Sequence, residues 1–214
     1  MLMFAMSIPV LFAQKKFQKN LKQGKHQTIV VYGTSLSAHP HGWATMMQDS
    51  IESIYPGRVQ VINSAAGAMW STWGVQNLDE RVIAKKPDVF LVEFTINDAY
   101  LPYNTSTEVC RLNIEYMIDR ALDANPNCEI ILQIMNPPIG EHAEIRPDYE
   151  AYADVYRKVA KKRKLVLIDH NLYWKNILVH GEDVFRMYAP DGIHPEKMAW
   201  EQLVMPYVMK GLGF

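Results

Sequence analysis

Asp191-Gly192-Ile193-His194-Pro195 near one end of the chain and Gly33-Thr34-Ser35-Leu36-Ser37 near the other carry the three residue types that nucleophilic acyl transfer needs. A serine hydroxyl is a weak nucleophile at neutral pH until an adjacent imidazole takes its proton. An aspartate three residues before a histidine can reach the other ring nitrogen, fixing the tautomer and stabilising the imidazolium that forms. Ser35, His194 and Asp191 are therefore the candidate nucleophile, base and orienting acid. Two further segments, Asn63-Ser64-Ala65-Ala66-Gly67 and Thr95-Ile96-Asn97-Asp98, also follow apolar runs. They can offer a backbone N–H and a side-chain amide to an oxyanion.

Five apolar runs must position these residues: Thr28 to Tyr32, Val59 to Ile62, Val89 to Phe94, Ile130 to Met135 and Leu165 to Ile168. Runs this apolar, without alternation, predict strands covered on both faces, as in a parallel sheet. The segments between them have helical spacing. Tyr149, Tyr152, Ala153, Tyr156, Val159 and Ala160 share one face, as do Trp200, Leu203, Val204, Tyr207 and Val208. Pro206 is expected to kink or shorten that last helix. Strand–helix alternation of this kind predicts a three-layer α/β/α sandwich around a five-stranded, mainly parallel sheet with right-handed crossovers. Ser35, Gly67 and Asn97 then lie just past the first, second and third strands, on the edge where open α/β sheets bind ligands. Three candidates on one edge are harder to attribute to chance than any one of them.

In this order, the segments resemble the blocks of the SGNH or GDSL family of serine esterases and acylhydrolases. That family's first block reads Gly-Asp-Ser-Leu, and here it is Gly33-Thr34-Ser35-Leu36; its third reads Gly-x-Asn-Asp, and here Thr95 precedes Ile96-Asn97-Asp98. Gly67 fits the second block, and Asp191 to His194 match Asp-x-x-His in full. The resemblance runs from residue 28 to about 205 and implies a flavodoxin-like α/β fold. It also implies Ser35, Asp191 and His194 as catalytic residues, with an oxyanion hole from the Ser35 N–H, the Gly67 N–H and the Asn97 amide. Thr34 removes a charge beside the serine but keeps a local hydrogen-bonding group, and Thr95 adds a Cβ that is expected to displace the backbone there. The implied activity is serine ester hydrolysis through an acyl-enzyme, with no metal and no organic cofactor. Similarity to family members carrying a stretch like Asn77-Leu78-Asp79-Glu80-Arg81 points to short acyl groups, acetyl above all, on carbohydrate. A lysophospholipase or thioesterase is the alternative within that chemistry, and a non-catalytic carbohydrate-binding protein the alternative outside it.

Each residue also has a plainer role. Ser35 could be a helix N-cap, Gly67 a tight bend, Asn97 a turn cap and Asp191-Gly192 a turn. His170, after the fifth strand, competes with His194 as base, although Asp169 is its direct neighbour and adjacent side chains rarely point the same way. His39-Pro40-His41 reads as a loop near the site, since no further ligand lies at metal spacing. Trp70 and Trp73 would by default be core. On a loop beside an oxyanion donor they could also give a sugar ring a flat apolar face. Asn136-Pro137-Pro138-Ile139-Gly140 is expected to form another rim loop.

The 214 residues suit a single core, because chains split into domains mainly beyond about 250–300 residues. The reading is one catalytic domain over 27–214, preceded by an N-terminal segment over 14–26. A net charge of −1, with 49% apolar and 21% charged residues, gives no reason to expect a nucleic-acid partner. The basic run Lys161-Lys162-Arg163-Lys164 suits a solvated helix end. The stretch 1–13 is apolar and ends at Ala13 before Gln14-Lys15-Lys16. It is too short to span a bilayer and resembles the apolar part of a secretory signal, so export to the periplasm or beyond is expected, with a cytoplasmic location the alternative if it is no signal. Cys110 and Cys128 make no disulfide framework, and Cys110 shares an apolar helical face with Ile114, Met117 and Ala121.

Overall fold

A computed structural model describes residues 15–214 of the chain; the expected signal segment over 1–13 lies outside the described residues. Five strands, β1 Gln27–Gly33, β2 Val59–Asn63, β3 Val89–Glu93, β4 Glu129–Ile134 and β5 Val166–Asp169, form one all-parallel sheet in the order β2-β1-β3-β4-β5. Four of the strands are buried along almost their whole length. β2 departs from the expectation of cover on both faces, with Gln60 and Asn63 exposed and Val61 and Ile62 half-buried. Among the described residues it is an edge strand that pairs only with β1.

The order reverses at β1: the chain steps out to β2 and returns to β3 on β1's other side. Right-handed crossovers then require the β1–β2 helix to lie on one face and the later crossover helices on the opposite face. Helix Trp43–Ile54 packs against β2 and against the C-terminal helix Met205–Leu212. Helix Ser71–Gln76 packs against Thr107–Ala124, which packs against Tyr149–Arg163, itself lying on β4 and β5. The crevice beyond the carboxyl ends of β1 and β3 is the topological switch point, the usual ligand position in such sheets.

The N-terminal segment forms helix Lys15–Lys22. Phe17 and Leu21, four residues apart and so on one helical face, are both buried, and the Phe17 N–H donates to Glu129 Oε1 at 2.5 Å. Near the other end, the helix is interrupted as Pro206 predicts. A π turn over Trp200–Val204 separates Lys197–Ala199 from Met205–Leu212, and proline falls in the first turn of the new stretch, where its missing N–H costs no hydrogen bond. The basic run closes helix Tyr149–Arg163, with Lys162 paired to Glu115 and Arg163 to Asp119. Cys110 and Cys128 are both free and buried. Among the described residues no helix is long and apolar enough to cross a membrane.

Candidate active site

β1 ends at Gly33, and the next residues turn directly into the short helix Ser35–Ala38. Thr34 is its N-cap, in extended conformation, with its hydroxyl accepting from the Leu36 N–H at 3.2 Å. The cap is therefore Thr34, and Ser35 is left half-buried as the first helical residue with its side chain free for other work. The turn is tied down from three directions. Trp43 Nε1 donates to the Leu36 carbonyl at 3.1 Å, Asn63 Nδ2 donates to the Ser37 carbonyl at 2.7 Å, and Glu93 at the end of β3 accepts from Thr34 and Ser37.

His194, 159 positions further along, meets this turn: Ser35 Oγ lies 2.9 Å from His194 Nε2. His194 Nδ1 lies 2.6 Å from Asp191 Oδ2. With Nδ1–H donating to the carboxylate, Nε2 is left to accept the serine proton. The other Asp191 oxygen accepts from the N–H groups of Ile193 at 2.9 Å and His194 at 2.8 Å. Partial burial alone would raise the Asp191 carboxyl, but these N–H groups and the imidazole hold it below the usual carboxylate range. Gly192 makes the turn possible at φ 91°, and a Cβ there would meet Ile139 at 3.1 Å.

The segment after β4 is what holds this turn in place. Asn136 Nδ2 donates to the Ile193 carbonyl at 2.9 Å, and the Ile139 N–H donates to the Gly192 carbonyl at 3.0 Å. Asn136, Pro137, Pro138 and Ile139 are buried. The expected rim loop is therefore corrected to a buried brace, because these residues must reach under the His194 turn to bond it.

Asn97 lies in helix Thr95–Asp98, which follows β3. Its Nδ2 donates to the Met69 carbonyl at 2.9 Å, leaving the second amide hydrogen unassigned. Arg146 spans the back of the same turn: Nε donates to the Ile96 carbonyl at 2.8 Å, and Nη2 reaches Asn97 Oδ1 at 3.5 Å. Thr95 is fully buried as the first residue of that helix and has no left-handed φ. The expected displacement therefore does not keep Asn97 from the Gly67 loop. Gly67 is exposed, with open space where a Cβ would stand. Ala68 beside it takes φ 58°, a left-handed conformation that costs a non-glycine residue roughly 1–2 kcal/mol. Two bonds offset that strain, from Asn97 to Met69 and from the Tyr103 hydroxyl to the Ala68 carbonyl at 2.5 Å.

The two tryptophans separate. Trp70 is half-buried and stacked on Tyr103 at 4.4 Å, with Tyr100 edge-on to Tyr103 at 5.0 Å and Arg146 over the Tyr100 ring at 4.7 Å. Trp73 packs against the main core, 5.6 Å from the Tyr32 ring and 4.8 Å from the Arg81 guanidinium. Its neighbours, a sheet residue and a helix-end cation, give the half-buried Trp73 a packing role in the fold. His170 is fully buried and hydrogen-bonded to Gln133 Nε2 at 2.9 Å. Burial pushes it down to about 4, so it is a neutral core residue rather than the base. His39 rests 4.8 Å from the Trp200 ring, and among the described residues no cluster of three or more metal-ligating side chains occurs.

Glu93 escaped sequence reasoning. It sits in a continuous apolar run, where a carboxylate looks like the end of a strand; only the register that pairs it with Gly33 brings it to the serine turn.

Solved structures share this architecture. The lipase/acylhydrolase from Enterococcus faecalis superposes with a TM-score of 0.73 at 24% identity, covering 87% of this chain and 96% of its own. The acetylxylan esterase Axe2 from Geobacillus stearothermophilus gives 0.75 at 19% identity, over 89% and 96%. LAE5, an alpha/beta hydrolase from the metagenome of Lake Arreo, Spain, gives 0.74 at 20%, over 88% and 96%. No curated protein matches the chain by sequence. The sequence pattern of the GDSL-like lipase/acylhydrolase family, in contrast, matches residues 29–197, most of the chain. The chain belongs to the GDSL-like lipase/acylhydrolase family and, with it, to the carboxylic ester hydrolases.

Proposed function

We propose that the protein is a serine esterase that removes short acyl groups, acetyl first among them, from carbohydrate through a covalent acyl-enzyme. The observation that carries the reading is the continuous relay from Ser35 Oγ through His194 to Asp191, at 2.9 Å and 2.6 Å, on the carboxyl edge of the sheet. His194 Nε2 takes the Ser35 proton as Oγ attacks the ester carbonyl, and Asp191 steadies the imidazolium. The negative charge then developing on the carbonyl oxygen falls to the Ser35 N–H, the Gly67 N–H and the second Asn97 amide hydrogen; one such donor is worth roughly 3–4 kcal/mol. His194 returns the proton to the leaving alcohol, and water repeats the sequence to free the acid.

The preference for carbohydrate rests on the aromatic group Trp70, Tyr103 and Tyr100 next to the Gly67 loop, since such rings suit the apolar faces of sugars. Axe2, which shares the fold, is an acetylxylan esterase. The apolar stretch over 1–13 suits export, where polysaccharide is met.

The test is hydrolysis of p-nitrophenyl esters from acetate to octanoate, then release of acetate from acetylated xylan, with Ser35→Ala alongside. Serine-dependent turnover that falls steeply beyond acetate and extends to the polysaccharide is the expected result. A rise toward octanoate would move the substrate to longer, lipid-like acyl groups. Equal turnover by Ser35→Ala would overturn the mechanism, and glycan binding without turnover would make the protein a carbohydrate-binding module.

A further inference from the structure

We infer that Glu93 is the positioning residue for the nucleophile, its buried carboxylate clamping the turn on both sides of Ser35. The inference rests on the proposed role of Ser35.

Glu93 is completely buried at the last position of β3. Its Oε1 accepts from the Thr34 N–H at 2.7 Å, from the Thr34 hydroxyl at 3.0 Å and from the Ser37 hydroxyl at 2.8 Å. Its Oε2 lies 3.2 Å from the same Thr34 hydroxyl. An ionised carboxylate can only accept, so the Thr34 hydroxyl, which itself accepts from the Leu36 N–H, donates its own hydrogen to Glu93. Three donors from residues 34 and 37 thus converge on one carboxylate, and Ser35 lies between them without touching it. Above about pH 7, where Glu93 is ionised, the charge makes such bonds about twice as strong as neutral ones.

The backbone is shaped around this contact. Gly33 pairs with Glu93 in the β1–β3 register, and a Cβ on Gly33 would fall 2.3 Å from Glu93 Oε1 and 2.5 Å from its carbonyl oxygen. No side chain but hydrogen fits there. Thr34 fits the same clamp: its hydroxyl both caps the helix and donates to the carboxylate, where an aspartate could only accept. The charge that the sequence lacks beside the serine is supplied from the neighbouring strand.

A group that fixes the attack geometry should govern the chemical step rather than substrate binding, since misplacing a reacting atom by about 1 Å can cost about 100-fold. Glu93→Gln keeps the volume but replaces one acceptor oxygen with a donor that opposes the Thr34 and Ser37 hydrogens. The expected result is a kcat lower by about 10- to 100-fold, with KM within about twofold. Phosphorylation of Ser35 by diethyl p-nitrophenyl phosphate should slow in parallel; in that step the serine oxygen displaces p-nitrophenolate and needs no substrate pocket. Ser37→Ala, which removes one donor, should slow labelling by about threefold and should add nothing in the Glu93→Gln background.

All rates are taken on folded protein, below each variant's melting midpoint. Wild-type labelling by folded Glu93→Gln, or a loss confined to KM, would overturn the inference. If Glu93→Gln does not fold, Ser37→Ala decides, and a wild-type labelling rate there overturns it. Ser35→Ala serves as the control: if it is still labelled and active, the proposed mechanism itself has failed, whereas normal serine dependence with an unaffected Glu93→Gln removes only the clamp.

Discussion

The nucleophile half of the site hangs on the sheet, whereas the contacts of the base half lie within four consecutive residues, on a turn braced by Asn136 and Ile139. Ser35 owes its place to Glu93, Asn63 and Trp43, from two other strand ends and a helix, and the residues on either side of it are buried. Asp191 and His194 instead hold each other, and their side chains are about half exposed, each at 48%. Asp191 bonds the ring with one oxygen and the backbone of the same turn with the other. The buried half can fix an atom in space. The exposed half can carry a proton in and out, since water reaches the imidazole. A nucleophile gains from the first property and a base from the second.

Because Asp191 and His194 meet within one turn, disturbing the bond between them should be the most damaging conservative change. Asp191→Asn can keep an oxygen for the Ile193 and His194 N–H groups, so the turn should survive. The amide would then face Nδ1 with its NH2, forcing the ring proton onto Nε2 and against the Ser35 hydroxyl. The expected loss in kcat is about 10⁴-fold with little change in melting midpoint. Steady-state kinetics beside a thermal melt checks this. A loss below tenfold would show that the carboxylate only shapes the loop.

Asn97 stands between the two halves, on a buried helix yet facing the exposed Gly67 loop. Asn97→Ala removes an oxyanion donor and the bond to Met69 together, and should lower kcat by roughly 10²–10³-fold. KM should move much less. If KM rises while kcat holds, Asn97 shapes the loop for binding and takes no part in stabilising the oxyanion.

The same contrast separates what the sequence shows from what only the fold brings together. Asp191 and His194 were legible because their contact is local: three residues apart, with a glycine between for the turn. The strands were legible because four of the five are buried on both faces; β2 was legible as a strand as well, but not its exposure, because its edge position depends on which strands flank it. The site edge followed from Ser35, Gly67 and Asn97 each lying just past the end of a strand. Glu93 was illegible, because a pairing between residues 33 and 93 exists only through sheet register. The Asn136–Ile139 brace was missed for the same reason, as prolines in a loop look alike above and below a site. Trp70 and Trp73 could not be told apart in the sequence, because an indole gives the same signal whether it lies on Tyr32 or on Tyr103.

Buried carboxylates under one half of the site also set a pH signature that the other half lacks. Burial pushes Glu93 up to about 7, against the opposing hydrogen bonds from Thr34 and Ser37, and the nearby Asp98 carboxylate adds to the rise. Tyr156 packs against the same region, and its phenol is pushed far up by burial, so it stays neutral. Between about 4.5 and 7 the folded protein keeps the Glu93 proton while the unfolded chain has lost it. The unfolded state then binds fewer protons, and stability falls as pH rises through that window. The contribution is full below 4.5 and amounts to about 3 kcal/mol lost by pH 8. For a chain of this length that is a melting shift of roughly 6–12 °C. Asp98, pushed up to about 6 by its own burial, changes stability in the same direction but is common to wild type and Glu93→Gln. The difference between their melting midpoints therefore isolates Glu93: wild type should lose ground steadily against the variant from pH 5 to pH 8. Parallel curves would mean that Glu93 ionises in the fold as freely as in water, and the nucleophile half would then be no drier than the base half.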